Sequence, residues 1–142
     1  MQEIPLRVIG VVRSPFPTPL EAPRQGEFTD KESRLEIHPE YAAALDGLER
    51  HARILVVYWA HGADRSRLAS AMGEGVFAGR SPHRPNPILI TEVALGAREG
   101  MTLRVTGLDA VDGSPLLDLK PALAEWEGPG GFIGNWDASL RF

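Results

Sequence analysis

The sequence contains no cysteine, which excludes disulfide bonds, thiolate metal sites and cysteine nucleophiles. It also contains no apolar run long enough to span a membrane, and its first residues lack the basic start and long apolar core of a signal peptide. Lysine is scarce, since Lys31 and Lys120 are the only lysines among 15 basic residues. From the first two absences we expect a cytoplasmic protein.

Positive charge is not in excess either. The formal net charge is −4, which argues against a protein that coats nucleic acid nonspecifically. Arginines are spread over the first two thirds of the chain, whereas acidic residues dominate between Asp109 and Asp137. A preference for arginine suits bidentate recognition of phosphate or carboxylate, although codon usage combined with solvated surface charges would produce it too. A local anion site therefore remains compatible with the charge of the chain.

Familiar nucleotide and metal motifs are absent. The sequence has no P-loop, no H-E-x-x-H and no G-x-S-x-G. Its glycine-rich stretch "GPGGFIG" (128–134) does not follow a predicted strand and leaves too little chain for a βαβ unit. The histidines are far apart in sequence, which disfavours a metal site: they are His38, His51, His61 and His83.

The segments that are present are mainly β-strands. A chain of 142 residues fits one domain. Short helical segments are predicted over 39–48 and 65–72, a loop is predicted over 128–137, and "REG" and "VDG" predict tight turns. We therefore predict a mainly β, single-domain, barrel-like sheet with one or two short helices, and not a Rossmann fold. Alternating and β-branched residues predict the strands, which are 6–13, 33–39, 52–61, 88–97, 101–109 and 114–121.

Constrained polar segments lie at the ends of these predicted strands. The clearest is "GRSPHRPNPILIT" (79–91), in which three prolines fix the backbone around Arg80 and Arg84. Similar segments are "APRQGEF" (22–28), "YWAHG" (58–62) and "TGLDAVDGSP" (106–115). Each alone is explained as well by surface charge or turn formation. Together they resemble an anion-binding or nucleotide-binding rim on a sheet.

Four segments, three of which overlap these polar stretches, carry a resemblance to a known family. The segments "IGVVRSPF", "APRQ", "GVFAGRSPHRPNPI" and "GLDAVDGSPLLDLKP" resemble the TsaA-like family, in the order in which that family has them. The resemblance runs from about Ile9 to Pro121. Characterised members of the family are the TrmO enzymes, which methylate N6-threonylcarbamoyladenosine (t6A) at position 37 of tRNA. The resemblance therefore implies a barrel-like sheet, a homodimer, and S-adenosyl-L-methionine binding without a Rossmann domain.

The resemblance also implies particular site residues. For RNA it leaves Arg84 and Asn86, beyond the proline turn, as the residues best placed to contact a phosphate or base. A proton acceptor for the methylated nitrogen stays open among His61, Tyr58 and Asp112. No metal is implied. The implied cofactor-binding residues are Pro23, Arg24, Gln25, His61, Gly62, Arg80, Ile90, Thr106, Gly107, Leu108 and Asp109.

The chain departs from the family pattern at three positions near these residues. The family usually has threonine at Gly79, glycine at Leu89 and a larger polar residue at Gly62. The chain ends soon after the predicted barrel, so we expect it to lack the C-terminal domain of the best-known bacterial members. Its apolar tail, residues 122–142, is expected to pack on the barrel or on a second subunit.

Three functions therefore stay open at this point. The first is t6A-directed methylation of tRNA. The second is a methyltransferase of the same fold that acts on another, small acceptor. The third is a module that binds S-adenosyl-L-methionine without transferring its methyl group.

Overall fold

Six antiparallel strands form one closed barrel in the computed structural model, which describes residues 1–22 and 30–123. Around the barrel the order is β1-β2-β5-β4-β3-β6, and β6 pairs again with β1. This arrangement confirms the predicted mainly β, single-sheeted barrel and the absence of a Rossmann fold. The strands are β1 (Gly10–Arg13), β2 (Glu32–Ile37), β3 (Arg53–Trp59), β4 (Ile88–Glu99), β5 (Thr102–Thr106) and β6 (Pro115–Pro121).

Alternation of side chains along the strands builds the core of the barrel. On β3 the inward residues Ile54, Val56 and Tyr58 are buried, while the residues between them are partly exposed. On β2, Leu35 and Ile37 point inward in the same way. The register is fixed because a shift by one residue would move these apolar side chains to the solvent face. Residues 6–9, which were predicted as part of the first strand, lie before β1.

The connection between β2 and β3 contains two 3₁₀ helices, where one short helix over 39–48 was predicted. The first is Pro39–Leu45 and the second is Leu48–Arg50. Pro39 suits the first turn because it has no N–H to leave unpaired. Gly47 separates the two helices with a φ of 90°, a conformation that glycine adopts without strain. A third 3₁₀ helix, Val76–Ala78, lies between β3 and β4.

The predicted helical turn over 65–72 is wrong. This stretch is an irregular loop, closed by an isolated β-bridge between Ala69 and Gly75. Side-chain oxygens take over the backbone donors that a helix would use. Asp64 accepts from the Ser66 N–H at 3.0 Å, and the Ser70 hydroxyl accepts from the Met72 N–H at 3.2 Å. Such local bonds compete with a helix.

The two predicted turns have different roles in the barrel. "REG" forms the hairpin between β4 and β5, with Gly100 at a φ of 62°. "VDG" is not a hairpin turn, because β5 and β6 do not pair and lie on opposite sides of the barrel. Residues 107–114 instead cross from β5 to β6. Among the described residues, no helix is long and apolar enough to cross a membrane.

The antiparallel order gathers three long connections at one end of the barrel. At this end β1, β3 and β5 finish and β2, β4 and β6 begin. We call this end the rim, and the connections 14–31 (described over 14–22 and 30–31), 60–87 and 107–114 the rim loops. The 3₁₀ helices of residues 39–50 and the β4–β5 hairpin lie at the opposite end.

Candidate functional site

The rim loops hold most of the residues that the sequence predicted for cofactor binding. His61, Gly62 and Arg80 lie in the loop 60–87, and Gly107, Leu108 and Asp109 lie in the loop 107–114. Thr106 ends β5, and Ile90 is the third residue of β4. Segments far apart in sequence therefore meet at the rim because of the strand order. Pro23, Arg24 and Gln25 lie outside the described residues.

The loop 107–114 closes the mouth of the barrel. It begins at Gly107, whose φ of 95° turns the chain away from β5. Leu108 and Ala110 are then fully buried in the core cluster. Leu108 as a whole residue therefore packs inside the barrel and leaves no exposed surface for a ligand at the rim. Asp109, between these two residues, is left half-buried.

Asp109 is held by hydroxyl groups from two strands. The Tyr58 hydroxyl on β3 donates to Asp109 Oδ1 at 2.9 Å, and the Thr91 hydroxyl on β4 donates to the same oxygen at 2.7 Å. Burial, followed by the neighbouring Asp109 carboxylate, raises the pKa of Tyr58 far above its ordinary value. Tyr58 therefore stays protonated and donates. Asp109 Oδ2 has no partner among the described residues, so it can accept from a ligand.

The three candidates for a proton acceptor occupy different environments. Tyr58 is a buried donor. The Asp112 carboxylate accepts from the Ser14 N–H at 3.0 Å, which attaches the loop 107–114 to the end of β1. His61 is exposed, and its side chain has no hydrogen-bond partner within residues 1–22 and 30–123. Of the three, His61 is the side chain that is accessible and not already engaged.

Arg84 holds the turn that contains Arg80. Its guanidinium donates to the carbonyl oxygens of Val76, Gly79 and Ser81, at distances of 3.1 to 3.2 Å. A planar guanidinium with several N–H groups can satisfy three carbonyls in this way. Arg80 lies inside this turn and is exposed. The conformation around Arg80 is therefore fixed by the protein itself.

A second set of contacts ties the proline segment 82–87 to the start of the same loop. The Arg65 guanidinium donates to the Pro85 carbonyl at 2.8 Å and to Asn86 Oδ1 at 3.3 Å. It also lies over the Trp59 ring at the end of β3, 5.0 Å from the ring centroid. His83 Nδ1 accepts from the Asp64 N–H at 3.0 Å. These hydrogen bonds therefore hold the beginning of the loop 60–87 against its end.

These contacts bear on the residues predicted for RNA. Arg84 and Asn86 both have intramolecular partners, and those contacts stabilise the rim loop. Direct contact of either residue with RNA stays a prediction. Arg65 and Thr91 were not singled out from the sequence. The signal for Thr91 is a single hydroxyl residue within the apolar stretch "ILITEV", but Arg65 has no signal of its own because its partners are distant in sequence.

The three positions that depart from the family pattern are accommodated by the backbone. Gly62 has a φ of 83°, a left-handed conformation that favours glycine over a larger residue. Gly79 is extended, with open space where a side chain would lie. Leu89 packs partly against the core. The loss of a side chain at Gly79 therefore leaves room beside Arg80.

The groups on the rim fit the S-adenosyl-L-methionine that the resemblance implies. The ligand carries a carboxylate, an ammonium group and ribose hydroxyls. Arg80 offers an exposed guanidinium for the carboxylate, and Asp109 Oδ2 offers a free acceptor for an ammonium or hydroxyl group. The main chain at Gly62 is open, since nothing lies within 4 Å of a Cβ built there. In the part of the chain that the structure describes, no group of acidic and histidine residues is arranged to hold a metal.

Known proteins are similar to this chain over most of its length. The model of the tRNA-methyltransferase O N-terminal domain matches residues 11–127. A protein of Methanothermobacter thermautotrophicus, named a probable S-adenosyl-L-methionine-binding protein, is 49% identical over 124 residues. That match covers 84% of this chain and 90% of the relative.

Longer proteins match over part of their length. A mouse protein named tRNA (adenine(37)-N6)-methyltransferase is 36% identical over 137 residues, which is 85% of this chain and 31% of the mouse protein. The crystal structure of TrmO from Pseudomonas aeruginosa superposes with a TM-score of 0.74 at 34% identity. It covers 87% of this chain, and the chain spans 56% of that structure.

Proposed function

The chain belongs to the family of the tRNA-methyltransferase O N-terminal domain, and on that premise we propose that it transfers the methyl group of S-adenosyl-L-methionine to N6 of adenosine 37 in tRNA. We further propose that the acceptor carries the threonylcarbamoyl group of t6A. The activity of longer relatives supports this proposal, although the chain spans only 31% of the mouse methyltransferase.

The observation that carries the proposal is the extent of the family match. Residues 11–127 include nearly the whole barrel and all three rim loops. The segments that the family uses for its cofactor are therefore present together. The fold brings the described ones to the same end of the barrel, in connections that leave β3 and β5.

The side chains on the rim would bind and orient the two reactants. S-adenosyl-L-methionine supplies an activated methyl group on a sulfonium. Arg80 would bind the ligand carboxylate, and Asp109 would bind an ammonium or hydroxyl group through Oδ2. Because Tyr58, Thr91 and Arg84 hold these two residues before a ligand arrives, little ordering is needed on binding. Methyl transfer depends mainly on alignment of donor and acceptor, so fixed geometry is the principal contribution of the protein.

The acceptor nitrogen of t6A has low nucleophilicity because it is conjugated to a carbonyl group. A residue that accepts the proton of this nitrogen would favour its attack on the methyl group of S-adenosyl-L-methionine. His61 is exposed and lies one residue beyond Ala60, whose N–H donates to the Pro87 carbonyl at 2.9 Å. We propose His61 for this role, since Tyr58 and Asp112 are engaged as donor and acceptor within the barrel.

The direct test is methylation of tRNA by the purified protein. The protein would be incubated with labelled S-adenosyl-L-methionine and tRNA that contains or lacks t6A, and the nucleosides would be identified by mass spectrometry. We expect a methylated t6A nucleoside from the first tRNA alone. Methylation of unmodified adenosine would refute the t6A assignment, and methylation of a small-molecule extract but not of tRNA would refute the RNA assignment.

Arg80→Ala tests the cofactor site. We expect it to raise the dissociation constant for S-adenosyl-L-methionine roughly ten- to a hundredfold, because a charge-assisted hydrogen bond is lost. Isothermal calorimetry measures this directly. Arg50→Ala is a matched control, since Arg50 is exposed at the opposite end of the barrel. Equal affinity of a folded Arg80→Ala protein and the control would remove Arg80 from the site.

One observation favours a second candidate function. The relative matched along 90% of its length is named for S-adenosyl-L-methionine binding, whereas the protein named as a methyltransferase is matched along 31%. A barrel domain that binds the ligand without transferring its methyl group is the corresponding function. Tight binding in calorimetry, together with no turnover on any tRNA or on a small-molecule extract, would favour it over both methyltransferase functions.

The proposal also covers the oligomeric state of the protein and its location in the cell. We propose a cytoplasmic homodimer in which the apolar tail, residues 122–142, packs on the barrel or on the second subunit. Residues 124–142 lie outside the described residues. Light scattering of the full chain would decide the state of assembly, and a monomer at working concentration would contradict the dimer.

A further inference from the structure

We propose that Phe77 is a stacking platform for an unpaired base of the RNA substrate. This inference rests on the proposed function and adds a contact that lies outside the cofactor residues. An unstacked base in an RNA loop has two exposed aromatic faces, and proteins that bind such loops commonly cover one face with an aromatic side chain.

Phe77 is presented to solvent, although its neighbour is anchored. Its relative exposure is 82%, whereas Val76, the residue before it, is only 4% exposed. The Val76 N–H donates to the Leu68 carbonyl at 3.0 Å, which attaches the 3₁₀ helix to an earlier part of the loop 60–87. A large aromatic side chain that an anchored turn holds in water is available to a binding partner.

The turn that carries Phe77 is held at both ends. The Ala78 N–H donates to the Gly75 carbonyl at 3.0 Å, and the Gly79 N–H donates to the Val76 carbonyl at 3.2 Å. Arg84 adds a third contact by donating to the Val76 carbonyl. Phe77 therefore projects from a fixed backbone, which lowers the entropy lost when a base packs on it.

The charge around Phe77 suits a polyanion. The loop 60–87 contains four arginines and two acidic residues, so its formal charge is +2 in a chain of net charge −4. Arg67 and Arg80 are both exposed. The nearest acidic group to Arg67 is Asp64, at 4.0 Å, and Asp64 already accepts from the Ser66 hydroxyl at 2.6 Å. An aromatic ring beside accessible arginines is the pattern of single-stranded nucleic-acid binding.

The alternative occupant is a second copy of this chain. Exposed Leu68 and Met72 precede Phe77 in the loop 60–87, and an apolar contact between protomers could use all three side chains. Positive charge disfavours that arrangement, because a symmetric interface would bring the arginines of two identical loops together. The substitutions below separate the two occupants, since base stacking requires a flat ring and apolar packing does not.

The test is binding of a labelled anticodon stem-loop RNA, measured by fluorescence anisotropy at low salt and without cofactor. We expect Phe77→Ala to raise the dissociation constant about tenfold, Phe77→Trp to bind like the unaltered protein, and Phe77→Leu to bind as poorly as Phe77→Ala. Ile4→Ala is the matched control, because Ile4 is 74% exposed on the segment that leads to β1. A duplex RNA of equal length should not distinguish Phe77→Ala from the unaltered protein.

Several outcomes would overturn the inference. Equal stem-loop binding by Phe77→Ala and the unaltered protein would do so, as would full binding by Phe77→Leu. A change of molar mass in Phe77→Ala, seen by light scattering, would assign the surface to a second copy of the chain. If Phe77→Ala binds normally while the unaltered protein methylates tRNA, the stacking platform fails and the proposed function stands. If the unaltered protein binds cofactor but neither binds nor methylates any RNA, both fail.

Discussion

A single carboxylate oxygen organises the candidate site at the scale of residues. Both Tyr58 and Thr91 donate to Asp109 Oδ1, whereas Oδ2 has no partner within residues 1–22 and 30–123. The two donors come from β3 and β4, and Asp109 comes from the loop that crosses the barrel mouth. Any movement of this loop would separate the carboxylate from two buried or half-buried hydroxyl groups, at a cost of about 1–3 kcal/mol for each unmade bond.

Tyr58 should make the stability of the protein depend on alkaline pH. Its pKa is raised on folding, so the folded state holds the phenol proton more tightly than the unfolded chain does. The resulting stabilisation is complete below the ordinary tyrosine pKa of 10.0 and is lost as the pH rises above it, because the unfolded state ionises first. We expect Tyr58→Phe to reduce the fall in melting temperature between pH 9 and pH 11.

Tyr41→Phe is the control for that measurement, since Tyr41 is the other tyrosine of the chain. Thermal unfolding followed by circular dichroism would report all three proteins at each pH. An alkaline transition that is the same in Tyr58→Phe and in the unaltered protein would show that Tyr58 does not contribute to it.

The sequence singled out individual residues at this end of the barrel but did not show how they interact. Tyr58 and Asp109 were both singled out, one as a titratable group and the other from the family motif. Their hydrogen bond joins residues 51 apart in the chain, and no spacing rule reveals a contact of that kind. Thr91 was missed for the same reason, since its role depends on the pairing of β3 with β4.

At the scale of elements, the loop 60–87 is stabilised by arginine rather than by regular secondary structure. Arg84 binds three carbonyls within one turn, and Arg65 joins the proline segment to β3. Prolines reduce the conformational freedom of the unfolded chain, and the guanidinium groups satisfy the carbonyls that a helix would otherwise pair. This combination explains how a connection without a regular helix or strand can present side chains in fixed positions.

Arg84→Gln should loosen that loop without unfolding the barrel. In the unaltered protein the Gly79 N–H donates to the Val76 carbonyl. In the variant we expect faster hydrogen exchange at this amide and a loss of roughly 1.5–3 kcal/mol in local stability. Arg84→Lys should behave similarly, because an ammonium group lacks the planar fork that reaches three carbonyls.

Arg67→Gln provides the comparison for Arg84, since its one ion pair is long and exposed. Exchange measured by mass spectrometry should be unchanged in this control. Unchanged exchange at Gly79 in Arg84→Gln would show that the prolines alone fix the turn.

The prolines in "GRSPHRPNPI" correctly indicated a constrained, non-helical segment. The helical prediction over 65–72 failed because side-chain oxygens capture backbone donors that a helix would use, and the local sequence does not show which oxygens do so. Asp64 and Ser70 supply these oxygens. Both helix predictions missed the local backbone conformation. Two 3₁₀ helices occupy most of the segment predicted over 39–48, and residues 65–72 form an irregular loop.

At the scale of the whole molecule, the barrel was predictable as a class but not in its strand order. Six short strands with few helices indicated a curved or closed sheet. The pairing of β5 with β2, and of β6 with both β1 and β3, depends on interactions across the sheet that local patterns do not encode. The three rim loops, and with them the site, follow from that order.

Closure of the barrel depends on a close approach at Gly10. A Cβ atom built at this position would overlap the carbonyl oxygen of Glu36 on β2. We expect Gly10→Ala to lower the free energy of unfolding by roughly 1–3 kcal/mol, as overpacking between strands does. Gly79→Ala is the matched control, because Gly79 is extended and faces open space. Denaturant titration of both variants checks the prediction, which fails if Gly10→Ala is as stable as the control.

The crossing of residues 107–114 has a consequence for the time at which the protein becomes active during its own synthesis. A nascent chain that has released β1 to β5 from the ribosome still lacks the strand that joins β1 to β3. Leu108 and Ala110 then have no completed interior to enter. Loop closure over nearly the whole chain also makes this final pairing slow. We therefore expect ligand binding at the rim to begin only after β6 has emerged, because the loop 107–114 that carries Asp109 has no completed barrel to close before then.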